Sequence, residues 1–145
     1  MTVQMPPKRV LLCEDEGIIL LQLRKTLLRA GYEVVGEATR GQEAIELARE
    51  RTPDLILMDI DLAGPLSGIE ATRQILEHYP VPILILSAYS DLMHVENALN
   101  AGACGYVVKP IISEQLLPVI EAAVARFQRL GAAVTLDNAR PPTHS

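Results

Sequence analysis

The sequence predicts an α/β fold: a doubly wound (βα)5 sandwich around a parallel five-stranded sheet of order 2-1-3-4-5. Three observations lead there. Short apolar runs alternate five times with stretches of helical periodicity. The runs are apolar without interruption, as strands buried on both faces are. The chain has 145 residues and is 49% hydrophobic, enough for one large core and too short for two ordinary domains.

The elements follow in order. Val10–Cys13 is the first strand, and a helix spans about 17–30, with Gly31 placed to end it in the left-handed conformation. Val34–Val35 is the second and shortest run, before a helix over 41–51. Leu55–Met58 is the third strand. Ser67 and Glu70 spell a capping box at the head of a helix over 68–78. Ile83–Leu86 is the fourth strand. The helix after it, 91–101, is the weakest, because His94, Asn97 and Asn100 are mediocre helix formers; Gly102 ends it. Tyr106–Val108 is the fifth strand. Ser113 is placed to cap a last helix over 114–130, where Leu116, Leu117, Ile120, Val124 and Phe127 recur at helical spacing. Residues 8–130 therefore form one domain, with 1–7 as an N-terminal extension. Residues 131–145 lack periodicity, hold a Pro-Pro pair and read as a disordered tail.

Composition excludes several classes. A net charge of −5 and a pI near 5.2 argue against a nucleic-acid surface, which needs a basic patch. No apolar stretch approaches the ~20 residues of a membrane span, and no signal-peptide pattern opens the chain, so the expectation is a soluble, cytoplasmic protein. Cys13 and Cys104 lie in apolar surroundings and read as buried, reduced thiols, without metal-type spacing.

The polar residues carry the chemistry. The first run ends in Glu14 and Asp15, the third in Asp59, the fourth in Ser87 and the fifth in Lys109. Open parallel sheets bind ligands beyond the carboxyl ends of their strands, at the reversal of strand order. Order 2-1-3-4-5 makes those four strands neighbours, so the five side chains should converge. Any one of them reads more simply as a solvated loop acid, a turn serine or a surface lysine; it is their coincidence at adjacent strand ends that points to a site. Two carboxylates 4 Å apart repel by ~4 kcal/mol at an effective dielectric near 20, so a proton or a cation must intervene. Oxygen-only donors suit Mg2+, with Mn2+ the alternative, and such ions complete their shell with phosphate. A carboxylate, a hard cation, an ammonium and a hydroxyl make a phosphoryl-transfer site, in which a carboxylate can itself accept the phosphoryl group.

The segments VLLCEDE, DLILMDI, GIEA, PILILSAYS and AGACGYVVKP resemble the receiver domains of two-component response regulators, of the chemotaxis type, over about residues 8–128. The resemblance implies a flavodoxin-like fold and a role for each matching residue. Asp59 would be the phosphoacceptor. Asp15 and Asp59 would ligate Mg2+ directly, with Glu14 acting through water and Asp61 through its backbone carbonyl. Lys109 and Ser87 would hold phosphoryl oxygens, Ala88 would leave the site open, and Tyr106 would switch rotamer as Ser87 moves. Lys109–Pro110 would be cis. Asp61 and Tyr89 match positions that family members vary to tune hydrolysis of the aspartyl phosphate. The implied partners are a sensor histidine kinase or phosphotransfer protein and a downstream protein target. A homodimer through the face of the fourth helix, fifth strand and fifth helix is also implied, with neither nucleic acid nor membrane bound by this chain. The protein would be a phosphorelay switch with slow autodephosphorylation rather than a turnover enzyme.

One departure stands out. Many receivers place proline four and glycine eight residues after the phosphoacceptor; here Ala63 holds the first position, and Gly68 comes one residue late. Similar loops occur in some receivers attached to RNA-binding antitermination or other output domains. No such domain fits the remaining tail, so the expectation is a stand-alone receiver or a fragment of a longer regulator. Two rivals remain. A phosphatase of the haloacid dehalogenase type would also use DIDLA, Ser87 and Lys109, but its further metal acids follow the lysine, whereas here Glu14 and Asp15 come first. A degenerate receiver that binds without phosphorylation would not need every chemical position filled, as they are here.

Overall fold

The computed structural model describes residues 8–138. Five strands, β1 (Arg9–Cys13), β2 (Glu33–Ala38), β3 (Leu55–Asp59), β4 (Ile83–Ser87) and β5 (Gly105–Val108), alternate with five helices. The helices are α1 (Gly17–Arg29), α2 (Gly41–Arg51), α3 (Gly68–His78), α4 (Leu92–Asn100) and α5 (Ser113–Asn138). All strands are parallel, in the order β2-β1-β3-β4-β5.

The two-residue period of the strands divides the core into two layers. Leu11, Cys13, Ile56, Met58, Ile83 and Ile85 face one way, onto Ala44, Ala48, Ala71 and Ile75 of α2 and α3. Val10, Leu12, Leu55, Leu57, Leu84 and Leu86 face the other, onto Leu23 and Leu27 of α1 and Leu116 and Ile120 of α5. Each of these large aliphatics, fully buried, contributes ~1.5–3 kcal/mol. β3 and β4 are buried at every position, so the strands that deliver Asp59 and Ser87 are the most firmly held in the sheet.

Several expectations are refined. β2 is longer than Val34–Val35, because an edge strand accommodates Glu33, Gly36 and Glu37, and its register shifts between Val10 and Leu11. Gly31 and Gly102 take positive φ of 90° and 107° and end their helices as expected. The capping box at α3 is half formed: Ser67 Oγ accepts from Glu70 N at 3.2 Å, but the Glu70 carboxylate pairs with Arg73 instead of reaching back. Ser113 does not cap α5. Its hydroxyl lies 2.7 Å from Thr26 Oγ1 of α1, and the Ile112 carbonyl receives Gln115 N and Leu116 N. α5 continues past the expected end at 130 to Asn138, since no proline intervenes before Pro141. The extension 1–7 and residues 139–145 lie outside the described residues. Among the described residues, no helix is long and apolar enough to cross a membrane.

Candidate functional site

The sheet register sets the site. Cys13 pairs with Met58, so Glu14 follows β1 level with Asp59, the last residue of β3. Asp59 pairs with Leu86, and Ser87 pairs with Val108 one step further on. Lys109 N then donates to Ser87 O at 2.7 Å, which fixes where the lysine leaves β5. Four neighbouring strand ends thus present Glu14, Asp59, Ser87 and Lys109 together.

Glu14 and Ser87 are fully buried, Asp59 is 2% exposed and Asp15 is open to solvent. One carboxylate oxygen from each of Glu14, Asp15 and Asp59 lies within 4.8 Å of the others. Lys109 Nζ stands 2.9 Å from Glu14 Oε1 and 3.1 Å from Asp59 Oδ2. The contact with Glu14 is an ion pair without hydrogen-bond alignment, which leaves Glu14 Oε1 buried with no directed donor. Glu14 Oε2 accepts from Glu16 N at 3.2 Å, and Asp59 Oδ1 from Asp61 N at 3.1 Å.

Charge follows from this geometry. Burial, reinforced by the neighbouring Glu14 carboxylate, pushes the Asp59 carboxyl up to about 6 despite the opposing Lys109. Burial alone would lower the Lys109 pKa, but the carboxylates of Glu14 and Asp59 together outweigh it and raise it. Two of the three clustered carboxylates, Glu14 and Asp59, share one ammonium, and Asp15 adds a further negative charge beside them. An all-oxygen donor set with excess negative charge and an underused buried oxygen fits a hard divalent cation.

Around this pocket, Ser87 Oγ accepts from Tyr89 N at 2.9 Å, and Tyr106 OH donates to Tyr89 O at 2.7 Å. Tyr106 also packs against the core layer that contains Met58 and Ile85. Ala88 is exposed at the rim. The Tyr89 ring lies flat on His94, centroids 4.1 Å apart and planes within 8°. The Asp61 side chain points to solvent. Lys109–Pro110 is cis.

The displaced glycine of the β3–α3 loop finds its explanation here. A Cβ on Gly68 would lie 1.9 Å from Asp59 O, so the head of α3 rests directly on the Asp59 backbone. The loop between them reaches toward β2: Ala63 N donates to Thr39 O at 3.0 Å, and Gly64 turns at φ 85°. Among the described residues, no acid after Lys109 joins the carboxylate cluster, as the phosphatase reading would need. Sequence reasoning missed the stack of Tyr89 on His94 and the cap of α4 by Asp91, although an aspartate three residues before His94 is a readable cap signal.

An open α/β sheet with an acidic, lysine-braced pocket at its switch point belongs to a class of phosphoryl-binding proteins. Residues 10–121 match the family model of the response regulator receiver domain, and the chain belongs to this family. It is 45% identical over 126 residues to the transcriptional regulatory protein PdtaR of Mycobacterium tuberculosis, covering 87% of this chain and 61% of that one. It is 39% identical over 104 residues to the chemotaxis protein CheY of Thermotoga maritima, covering 71% and 86%. A LuxR-family two-component response regulator from Aurantimonas sp. SI85-9A1 superposes with a TM-score of 0.76 at 40% identity, over 82% of this chain and 86% of its own. The chain thus spans about three-fifths of the length of PdtaR. Receiver domains are regulatory switches of two-component systems, which receive phosphoryl groups from histidine kinases and bind Mg2+ at an acidic pocket.

Proposed function

We propose that Asp59 of this chain accepts a phosphoryl group from the phosphohistidine of a sensor histidine kinase or phosphotransfer protein, and that the modified receiver controls a partner protein. The observation that carries this is the position of Lys109 Nζ between Glu14 and Asp59, with Asp15 beside them at the open end of the sheet. An Asp59 oxygen attacks phosphorus; the new P–O bond forms as the P–N bond breaks, and the leaving imidazole takes its proton from solvent. Asp15 and Asp59 would hold Mg2+ or Mn2+ directly, with Glu14 through water and Asp61 through its carbonyl. The bound ion supplies charge neutralisation for the phosphoryl oxygens.

Lys109 then exchanges its carboxylate contacts for a phosphoryl oxygen, and the Ser87 hydroxyl donates to another. Ala88 is small enough to leave access for the donor. Charge-assisted hydrogen bonds of ~1.5–3 kcal/mol each bring the pair close to the ~5.5 kcal/mol that reverses a 1:99 equilibrium. Tyr106, bonded to Tyr89 O, follows Ser87. Leu92, Met93 and Leu99 of α4, with Val108 and Ile112, are exposed and support α4–β5–α5 as the face for a protein partner or a second copy. The net charge of −5 does not suit nucleic acid. Such a protein acts in the cytoplasm, with slow loss of its own phosphoryl group and no turnover of external substrate.

The test is incubation with a small acyl phosphate and Mg2+, read by intact mass. A gain of one phosphoryl group is expected in the wild type and not in Asp59→Asn. An adduct that survives that substitution, or sustained hydrolysis of a phosphoester, overturns the reading.

A further inference from the structure

We propose that His94, held by Asp91 and stacked on Tyr89, is a positioning residue of the switch. It latches the β4–α4 turn in the resting arrangement and so sets how tightly the Asp59 site takes a phosphoryl group. The inference rests on the reading of Asp59 as phosphoacceptor.

Tyr89 is the junction. Its backbone N–H donates to Ser87 Oγ at 2.9 Å, its carbonyl receives Tyr106 OH at 2.7 Å, and its ring lies on His94 with centroids 4.1 Å apart. Ser87 is fully buried and its hydroxyl is held by the Tyr89 N–H, so in turning toward Asp59 it gives up that bond or draws the Tyr89 backbone with it, and the latch acts on the second course. His94 is itself fixed. Its Nδ1 lies 2.6 Å from Asp91 Oδ1, and its backbone N–H donates to Asp91 Oδ2 at 3.3 Å in the first turn of α4. A Tyr89 that follows Ser87 must therefore slide off an imidazole that does not follow.

A contact made only in the resting state lowers the fraction of binding-competent molecules, and the apparent affinity falls by that fraction. A stacked aromatic pair corresponds to about threefold to tenfold in that population. His94 and Asp91 lie outside the carboxylate cluster, so changing them leaves the cation ligands in place.

The probe is beryllofluoride with Mg2+, a stable mimic of the phosphoryl group, titrated calorimetrically into the full chain. His94→Ala is expected to bind it about threefold to tenfold tighter than the wild type, while affinity for Mg2+ alone stays unchanged. His94→Phe keeps a ring against Tyr89 and is expected to return most of the wild-type affinity. Asp91→Asn keeps an N-cap on α4 but loses the charge that orients His94, and is expected to fall between the two. A wild type that binds while His94→Ala binds equally or more weakly sinks the latch alone, as does a His94→Phe that matches His94→Ala. A wild type that binds no beryllofluoride sinks the Asp59 reading and the latch together.

Discussion

Lys109 Nζ lies 3.1 Å from Asp59 Oδ2, although the two residues leave the sheet from strands separated by β4. The same ammonium is 2.9 Å from Glu14 at the end of β1, so one cation ties three strand ends. Lys109→Met keeps the aliphatic stem and removes the charge, leaving two buried carboxylates without a counter-ion. The expected loss is ~3 kcal/mol of metal-free stability, as for other broken buried pairs. Urea denaturation in a chelator measures it, and excess Mg2+ should restore part of the loss. A difference well below ~1 kcal/mol would mean that the carboxylates are neutralised without the lysine.

Asp59→Asn should act in the opposite direction on the metal-free fold. The Asp59 carboxyl is pushed up to about 6 by burial and by Glu14, so its folded pKa exceeds the unfolded one. The folded chain then holds the proton more tightly, and ionisation near neutral pH costs stability. After discounting for solvent at the open rim, the gain on substitution at pH 7 is about 1–2 kcal/mol. It should shrink as pH falls from about 6 toward 4, where Asp59 of the wild type is neutral as well. Denaturation curves in a chelator at several pH values give the answer; an asparagine variant less stable than wild type at pH 7 would contradict it.

Much of this fold is legible in the sequence because buried parallel strands are uninterrupted apolar runs. Leu55–Met58 and Ile83–Leu86 each fall short of the observed strand by one residue, and that residue is a site side chain, Asp59 or Ser87. β2 is harder to read, because an edge strand tolerates Glu33, Gly36 and Glu37 and loses its apolar signature. The site is legible through topology: polar groups that close adjacent strands must meet. Ser113 is misread because a hydroxyl beside a helix start can bond across to another helix as readily as to its own backbone. The junction at Tyr89 leaves no mark, since two of its three contacts use backbone atoms that every residue carries.

The glycine one position late in the β3–α3 loop is a structural requirement. Gly68 N donates to Ile60 O at 2.8 Å, and a methyl on Gly68 would fall 1.9 Å from Asp59 O, a backbone atom that cannot rotate away. Gly68→Ala must therefore push α3 off the strand end or tilt the Asp59 peptide. The expected cost is about 3 kcal/mol, at the upper end for overpacking, together with weaker Mg2+ binding. Denaturation midpoints and a Mg2+ titration test both parts. An alanine variant with wild-type stability would show that the loop relaxes without disturbing Asp59.

The half-formed cap at the head of α3 gives a sharper contrast, because the two members of the S-x-x-E pattern should behave differently. Ser67 Oγ takes Glu70 N, one of the first-turn donors that has no partner within the helix. Ser67→Ala should cost ~1 kcal/mol, the usual value for a lost N-cap. The Glu70 carboxylate pairs with exposed Arg73 instead of returning to the Ser67 backbone, so Glu70→Gln removes only a surface ion pair, worth less than ~0.5 kcal/mol. A fully reciprocal box would make the two losses comparable. Urea midpoints of the two single variants decide between these outcomes, and equal destabilisation would mean that Glu70 reaches back in solution. Since α3 begins at Gly68 against the Asp59 carbonyl, Ser67→Ala should also loosen that contact, seen as faster amide exchange at Gly68.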